Sequence, residues 1–475
     1  MRQDVPAAAL VCIVYVIAAL VARTIGAESV SDDDFARVVI AQSFSHQPVL
    51  DPSGTSWLPM PFWLNGMLMI VAGPALRVAR FGALVGAAVA GGAMFTSARW
   101  MGARRGPAIF ASVLPLTIPL VPVLGASTVP ELPTAAAMCL SLCALVRPSP
   151  LKLGVASAAL LAATLSRYEA WFVALYFAVA CLVIARSKSR ATSLFRSAVG
   201  AAACACVGPL GWIIWNAHGH HDAFRFISRV TSYRNALVSG QTPSLLWSYP
   251  SALLIEGGAI VALALLTVLL RAHRARRVWL LAPAVGGAIV LLLALSFAEA
   301  RGGAPTHHPE RAISSIWFVA AAVLATYRTD KLKRWAGVGL TITGLCVLQG
   351  SARAKTTFDG LVDRREAVRL GEEVARVVAP SERVMLLAHS YDHFAMMSAL
   401  ARPWDVSVLV PKGVDPRVVD EDPLVSEASF RAAMSQRGTR HFVARGQQRD
   451  RARALAESMA LEVSPLATGD LLIRF

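Results

Sequence analysis

The chain has 475 residues, 55% hydrophobic and only 16% charged, with a mean hydropathy of +0.54; soluble domains carry about 25% charged residues, which excludes an ordinary soluble protein. A net charge of +16 would suit nucleic acid, but residues 1–350 hold 28 Lys/Arg against 13 Asp/Glu, whereas residues 351–475 hold 18 against 17. The excess therefore lies in the apolar part, where short basic loops set topology, and not on a soluble basic face of the kind nucleic acid needs.

Apolar runs near 6–23, 78–98, 107–124, 131–146, 153–166, 169–185, 198–215, 251–270, 279–297, 313–327 and 335–350 predict an α-helical polytopic membrane protein with about 11 transmembrane helices. The first run is long enough to span, so it reads as an uncleaved helix rather than a signal peptide. All seven cysteines lie in apolar segments, which excludes a disulfide-framed domain outside the membrane.

The connecting loops sort by charge. Five alternate loops, around Arg99–Arg105, Arg147–Lys152, Arg186–Arg196, Arg271–Arg277 and Arg328–Arg334, hold 17 of the 28 basic residues before position 351 and one acid, Asp330. The positive-inside rule makes these loops and the N-terminus cytoplasmic. The outer set is then 24–77, 125–130, the turn near 167, 217–250, 298–312 and everything after about 351. Residues 1–350 form the membrane domain with a structured outer loop, 24–77; residues 351–475 form an extracytoplasmic α/β domain. In the latter, Glu366–Val378 and 449–459 have helical spacing, and Val384–Ala388, Val406–Val410 and Leu471–Phe475 read as strands.

Outer loop 24–77 begins with Ser31-Asp32-Asp33-Asp34. A carboxylate at a membrane surface can take a proton from an acceptor. The same residues also fit a helix start, with Ser31 as N-cap and acids in the first turn. The roles are compatible, because consecutive helix residues point about 100° apart and the three acids cannot all serve one site. Phe35, Val38, Val39, Ile40 and Phe44 continue as a helix lying along the membrane surface. Arg37 follows Asp34 and Asp33 by three and four residues, so it can pair with them.

Among the cations on the outer side, Arg37, Arg167, Arg301 and Arg311 are the candidates. An arginine fork suits a phosphate. Glu169 stands two residues after Arg167, so a local ion pair is the alternative use. Glu131 opens an apolar run from the outer side, and Glu256 falls within one, where an ionisable group is a functional candidate. His307-His308-Pro309-Glu310-Arg311 is a second charged stretch. His218-Gly219-His220-His221-Asp222 has a mixed spacing that reads as a wet loop and not a metal site.

The order of these motifs carries a resemblance. A first helix is followed by an acidic outer helix start, then Ser56-Trp57-Leu58-Pro59 with Pro61-Phe62-Trp63. Ser127-Thr128-Val129-Pro130-Glu131-Leu132-Pro133 and Ser166-Arg167-Tyr168-Glu169-Ala170-Trp171 come next. Over roughly residues 1–350 this resembles the GT-C superfamily of polyprenyl-phosphate-sugar-dependent glycosyltransferases, nearest its protein-mannosyltransferase and aminoarabinose-transferase-like branch. The resemblance implies sugar transfer, with inversion, from a polyprenyl phosphate to an extracytoplasmic lipid, glycan or protein at a bacterial-type inner membrane. It implies Asp33 or Asp34 as base; the run of three acids leaves that register open. Arg37, Arg167 and Arg311 would bind the donor phosphate, and Glu131, Glu169, His307 and His308 would contact donor or acceptor. No resident cofactor is expected, although Mg or Mn could bind through phosphate oxygens. The rivals are a transporter or lipid flippase, against which stands the lack of an internal repeat, and a non-catalytic GT-C relative.

Overall fold

A computed structural model describes residues 4–187, 192–237, 246–273, 278–301, 308–327, 332–411 and 420–475. Helices α1 to α8 are Val5–Thr24, Asp33–His46, Met60–Ala72, Leu76–Trp100, Arg105–Val113, Leu120–Ala126, Glu131–Ala144 and Pro150–Thr164. Helices α9 to α15 are Glu169–Arg186, Ser193–His220, Arg225–Leu237, Ser248–His273, Ala282–Ala300, Pro309–Leu324 and Leu332–Asp359. Then follow α16 (Arg365–Val377), β1 (Val384–Leu387), α17 (His393–Leu400), β2 (Val406–Leu409), α18 (Glu427–Arg437), β3 (His441–Ala444), α19 (Gln448–Ser458), β4 (Glu462–Pro465) and β5 (Leu471–Arg474). The chain forms two compact units, Met1–Glu28 with Ser53–Met60 and Ala83–Leu361, and Ser29–Pro52 with Pro61–Gly82 and Val362–Phe475.

Among the described residues of the first unit, six helices (α1, α4, α9, α10, α12 and α13) are long and apolar enough to cross a membrane, and α5 with α6 forms a pair bent by 89° that makes a seventh if it is one span. Eleven were expected. Helices α7, α8 and α14 have 14, 15 and 16 residues. At about 1.5 Å per residue they reach only ~21–24 Å, short of a ~30 Å hydrocarbon core. Arg311 to Leu324 of α14 are all buried, so that helix is core. The protein is an integral membrane protein.

Close packing is set by small residues. A side chain on Gly91 would meet the Val11 carbonyl and the Tyr15 ring at 3.0 Å, so α4 lies backbone-close to α1, and the Tyr15 hydroxyl donates to the Ser112 carbonyl at 2.9 Å. Helix α12 breaks at Gly257 (φ −134°, ψ 23°), where a Cβ would sit 2.5 Å from the Trp317 ring. A break inside lipid leaves backbone groups that cost several kcal/mol each unless bonded. Gln349 bonds them: its amide donates to the Leu254 and Ile255 carbonyls at 2.9 Å, and its oxygen accepts from Ala259 N–H at 2.8 Å. Glu256, a functional candidate by sequence, pairs with Arg353 at 2.7 Å at this break.

The charge-sorted loops of this unit gather at separate ends. At one, Asp4 pairs with Arg99 and Arg105, Gly102 lies against the Arg147 guanidinium, and Arg271 donates to the Thr326 carbonyl at 2.7 Å. The loops holding Ser56, Glu131, Arg167 and Arg311 meet one another instead, through the bonds described below.

The second unit holds an α/β sheet in the order β2-β1-β3-β5-β4. Strands β2, β1 and β3 are parallel, with β5 and β4 antiparallel beyond them. The sequence placed β1, β2, β5, α16 and α19 to within a residue or so; α17, α18, β3 and β4 went unread. Helix α2 also belongs here. Val39 joins the apolar cluster of Leu370, Val374 and Met396, while Phe35, Val38 and Ala41 pack on Met69, Val78 and Ala79. The face expected to lie on lipid is thus covered by protein, because two apolar clusters compete for it.

Candidate functional site

In the first unit, Glu131 starts α7, Arg167 lies in the two-residue turn before Glu169 opens α9, and Arg311 sits in the first turn of α14. These starts bring four side chains to one point. Arg167 Nη1 donates to Glu131 Oε1 at 2.5 Å and Arg311 Nε donates to the same oxygen at 2.9 Å. Arg311 Nη2 also bonds it, and Arg167 Nε bonds Glu169. The Glu131 side chain is 0% exposed, Arg311 8% and Arg167 19%. Two guanidinium ions and two carboxylates cancel in charge, and Arg167 is the group that opens most to the outside of the cluster.

An aromatic wall holds Arg167 in place. The neighbouring Tyr168 hydroxyl donates to the Ser56 carbonyl at 2.8 Å and accepts from Trp212 Nε1 at 3.3 Å. Its ring stacks on Phe226 at 4.8 Å, and Leu58, Trp171 and Trp215 complete the cluster. Within the second unit, Trp63 Nε1 donates to the Leu50 carbonyl at 3.2 Å.

His308 bonds Glu310 at 3.0 Å; His307 lies outside the described residues. One buried acid was missed by sequence: Glu299, fully buried in α13, was read as loop. The signal for Glu299 was present: an acid ending an apolar run.

The second unit holds the aspartates, and it gives each a different environment. The expectation that Ser31 caps α2 fails. The cap position is Asp32, whose side chain makes no capping bond; it pairs instead with Arg364, Nε to Oδ1 at 2.8 Å and Nη2 to Oδ2 at 2.9 Å. Asp34, 2% exposed, reaches back to accept from the N–H groups of Val30 and Ser31 at 2.9 and 3.2 Å, the two residues just ahead of the Asp32 cap. Asp33 is half-buried, and among the described residues its carboxylate has no ion pair or hydrogen bond. Arg37, 6% exposed, lies one turn further along α2 with its guanidinium 5.8 Å from the Phe62 ring centre.

No group of three or more His, Cys, Asp or Glu among the described residues is arranged to hold a metal ion.

No protein-family model matches the chain and no curated protein matches it. Solved structures do. ArnT from Cupriavidus metallidurans bound to undecaprenyl phosphate superposes with a TM-score of 0.59 at 14% identity, covering 97% of each chain. The apo state of that protein gives 0.57 at 14% identity with the same coverage. The chain shares the fold of that protein. An archaeal oligosaccharyltransferase from Archaeoglobus fulgidus, AglB, in complex with an inhibitory peptide and a dolichol-phosphate, gives 0.48 at 11% identity, over 98% of this chain and 74% of that one. Covering 97% of this chain, the likeness to ArnT extends beyond the 1–350 stretch whose motifs carried the resemblance.

Proposed function

We propose that the protein is an integral membrane glycosyltransferase that moves a sugar from a polyprenyl phosphate to an acceptor outside the cytoplasm. The observation that carries it is the convergence of Arg167 and Arg311 on buried Glu131, in a fold shared with a protein that binds undecaprenyl phosphate. Prearranged cations are what a departing phosphate needs, and arginine forks meet phosphate oxygens in pairs. The end of the helices bearing this cluster faces away from the cytoplasm in this reading, and the Asp4–Arg99 end faces it.

The step is an in-line displacement. The acceptor oxygen or nitrogen bonds to the anomeric carbon and the carbon–oxygen bond to phosphate breaks with inversion. The lipid phosphate leaves as an anion, and the acceptor proton passes to a carboxylate. Asp33 is the base, since Asp32 and Asp34 are engaged by Arg364 and by the helix start. Arg37 stands four residues from Asp33, on the same helix face, and is a third phosphate-binding candidate. Glu131 and Glu169 hold the arginines, and His308 is a further contact.

The test is sugar release from labelled polyprenyl-phosphate sugars by protein reconstituted in liposomes, with and without chelator. Asp33→Asn should lower turnover about 10²–10⁴-fold while donor still binds. A parent protein that binds no polyprenyl donor, or that moves lipid across the bilayer equally well without Asp33, would sink the proposal.

A further inference from the structure

We propose that Arg364 is a positioning residue for the reaction, clamping the start of α2 so that Asp33 is presented while its neighbours are held. The inference rests on the transferase reading above and assigns the C-terminal domain a part in it.

Three consecutive aspartates at a helix start would ordinarily compete for the same few N–H groups. Here they do not. Asp34 takes the backbone donors of Val30 and Ser31. Asp32, at the cap position, makes no capping bond and gives both oxygens to Arg364. Two parallel N–H···O bonds fix the orientation of a carboxylate as well as its distance. With the residues on either side anchored, Asp33 has little freedom to turn about the helix axis. The first-turn bonds Phe35 N–H to Asp32 carbonyl (3.1 Å) and Ala36 N–H to Asp32 carbonyl (3.0 Å) start from the clamped residue.

The clamp is the first of several ties along α2. Ser29 donates to the Val362 carbonyl at 2.8 Å, Gln42, fully buried, donates to the Ser398 carbonyl at 2.7 Å and the Pro74 carbonyl at 2.8 Å, and His46 stacks on Trp404 at 4.2 Å. The segment that precedes α16, the helix α17 and the turn that follows α17 thus grip the acidic helix at its start, middle and end. Charged groups around the clamp are Asp363 and Arg365 beside Arg364, which pair with each other, and Asp392 and His393 at the start of α17, with Arg445 on Asp392 at 2.9 Å. Catalysis is sensitive to this kind of support, since a misplacement of about 1 Å can cost about 10²-fold in rate.

The experiment uses the full-length reconstituted protein and compares Arg364→Ala, Arg364→Lys, Asp32→Asn and the double variant Arg364→Ala/Asp32→Asn. Arg364→Ala should lower kcat at least about tenfold with the donor KM within about twofold of the parent. Lysine should restore part of the loss, because it keeps the charge and not the fork. The double variant should be no worse than the poorer single one, as expected for one shared interaction. Amide hydrogen exchange at Phe35 and Ala36 should quicken in Arg364→Ala while exchange in β1 and β3 stays as in the parent. Unchanged kcat, a raised KM with unchanged kcat, multiplicative losses in the double variant, or unchanged exchange at the start of α2 each overturn the clamp. An inert parent would fail the transferase reading, whereas an active parent indifferent to Arg364→Ala fails the clamp alone.

Discussion

Removing the Glu131 carboxylate should unsettle the protein through the two arginines it serves. The side chain is 0% exposed and accepts from Arg167 and from a fork of Arg311, itself 8% exposed. Taking away one partner of a buried ion pair leaves an uncompensated charge, at about 3–5 kcal/mol. Glu131→Ala should fall in that range, equal to about two to four decades in the folding equilibrium. Glu131→Gln keeps a neutral acceptor of the same shape, so the loss should be nearer the ~1.5–3 kcal/mol of a hydrogen bond to a charged group. The assay is the temperature at which half of the detergent-solubilised protein remains monodisperse. Glu131→Ala should lower it by several degrees, Glu131→Gln by less. Arg311→Gln should be destabilising alone, and combining it with Glu131→Gln should cost about 1–3 kcal/mol less than the sum. An alanine variant within a degree of the parent, or strict additivity of the pair, would refute the idea of a single charge-coupled cluster.

Two predictions concern the second unit. A Cβ on Gly371 would lie 2.3 Å from the Met396 carbonyl oxygen and 2.8 Å from the Ala399 Cβ; because the first obstacle is backbone, Gly371→Ala should destabilise by about 1–3 kcal/mol, and a variant as heat-stable as the parent would show that α16 and α17 can separate at no cost. Burial holds the imidazole of His393 below the usual histidine value, with its Nδ1 bonded to the Ser390 carbonyl at 2.8 Å. The unfolded chain therefore takes up this proton first as pH falls through about 6.5. Its contribution is complete above that pH and declines below it until the folded histidine also protonates. Unfolding followed between pH 7.5 and 5 should show this decline, and a His393→Gln variant with an undiminished pH dependence would assign it elsewhere.

The fold was legible where a local pattern records it. Apolar runs and alternating basic loops located the helices, and loops assigned to one side do meet, as Asp4 with Arg99 and Tyr168 with Ser56 demonstrate. Span number was less legible, because hydropathy does not separate a lipid-facing helix from one such as α14 that is buried in protein. Strand β3, His441 to Ala444, offers only three consecutive apolar residues between His441 and Arg445, too short a run to mark a strand. Glu131, Arg167, Glu169 and Arg311 were each visible as charged groups at apolar boundaries. Their convergence was not, since Glu131 and Arg311 are 180 residues apart. The aspartate run was legible as a helix start, while the division of labour within it depends on Arg364, 332 residues away.

The charge balance of the arginine cluster bears on how such a site could turn over. In the proposed reaction the donor is a phosphodiester with one negative charge, and the departing lipid phosphate carries up to two. Two bare arginines would bind both strongly, and tight binding of substrate and transition state alike gains nothing in kcat. With Glu131 and Glu169 cancelling them, the cluster has little net attraction for a singly charged donor. Its donors are nevertheless already oriented, so the added charge that develops as the bond breaks meets fixed dipoles and needs no rearrangement. On this view the acids that occupy the arginines are part of the means by which the site favours charge separation and then releases its product.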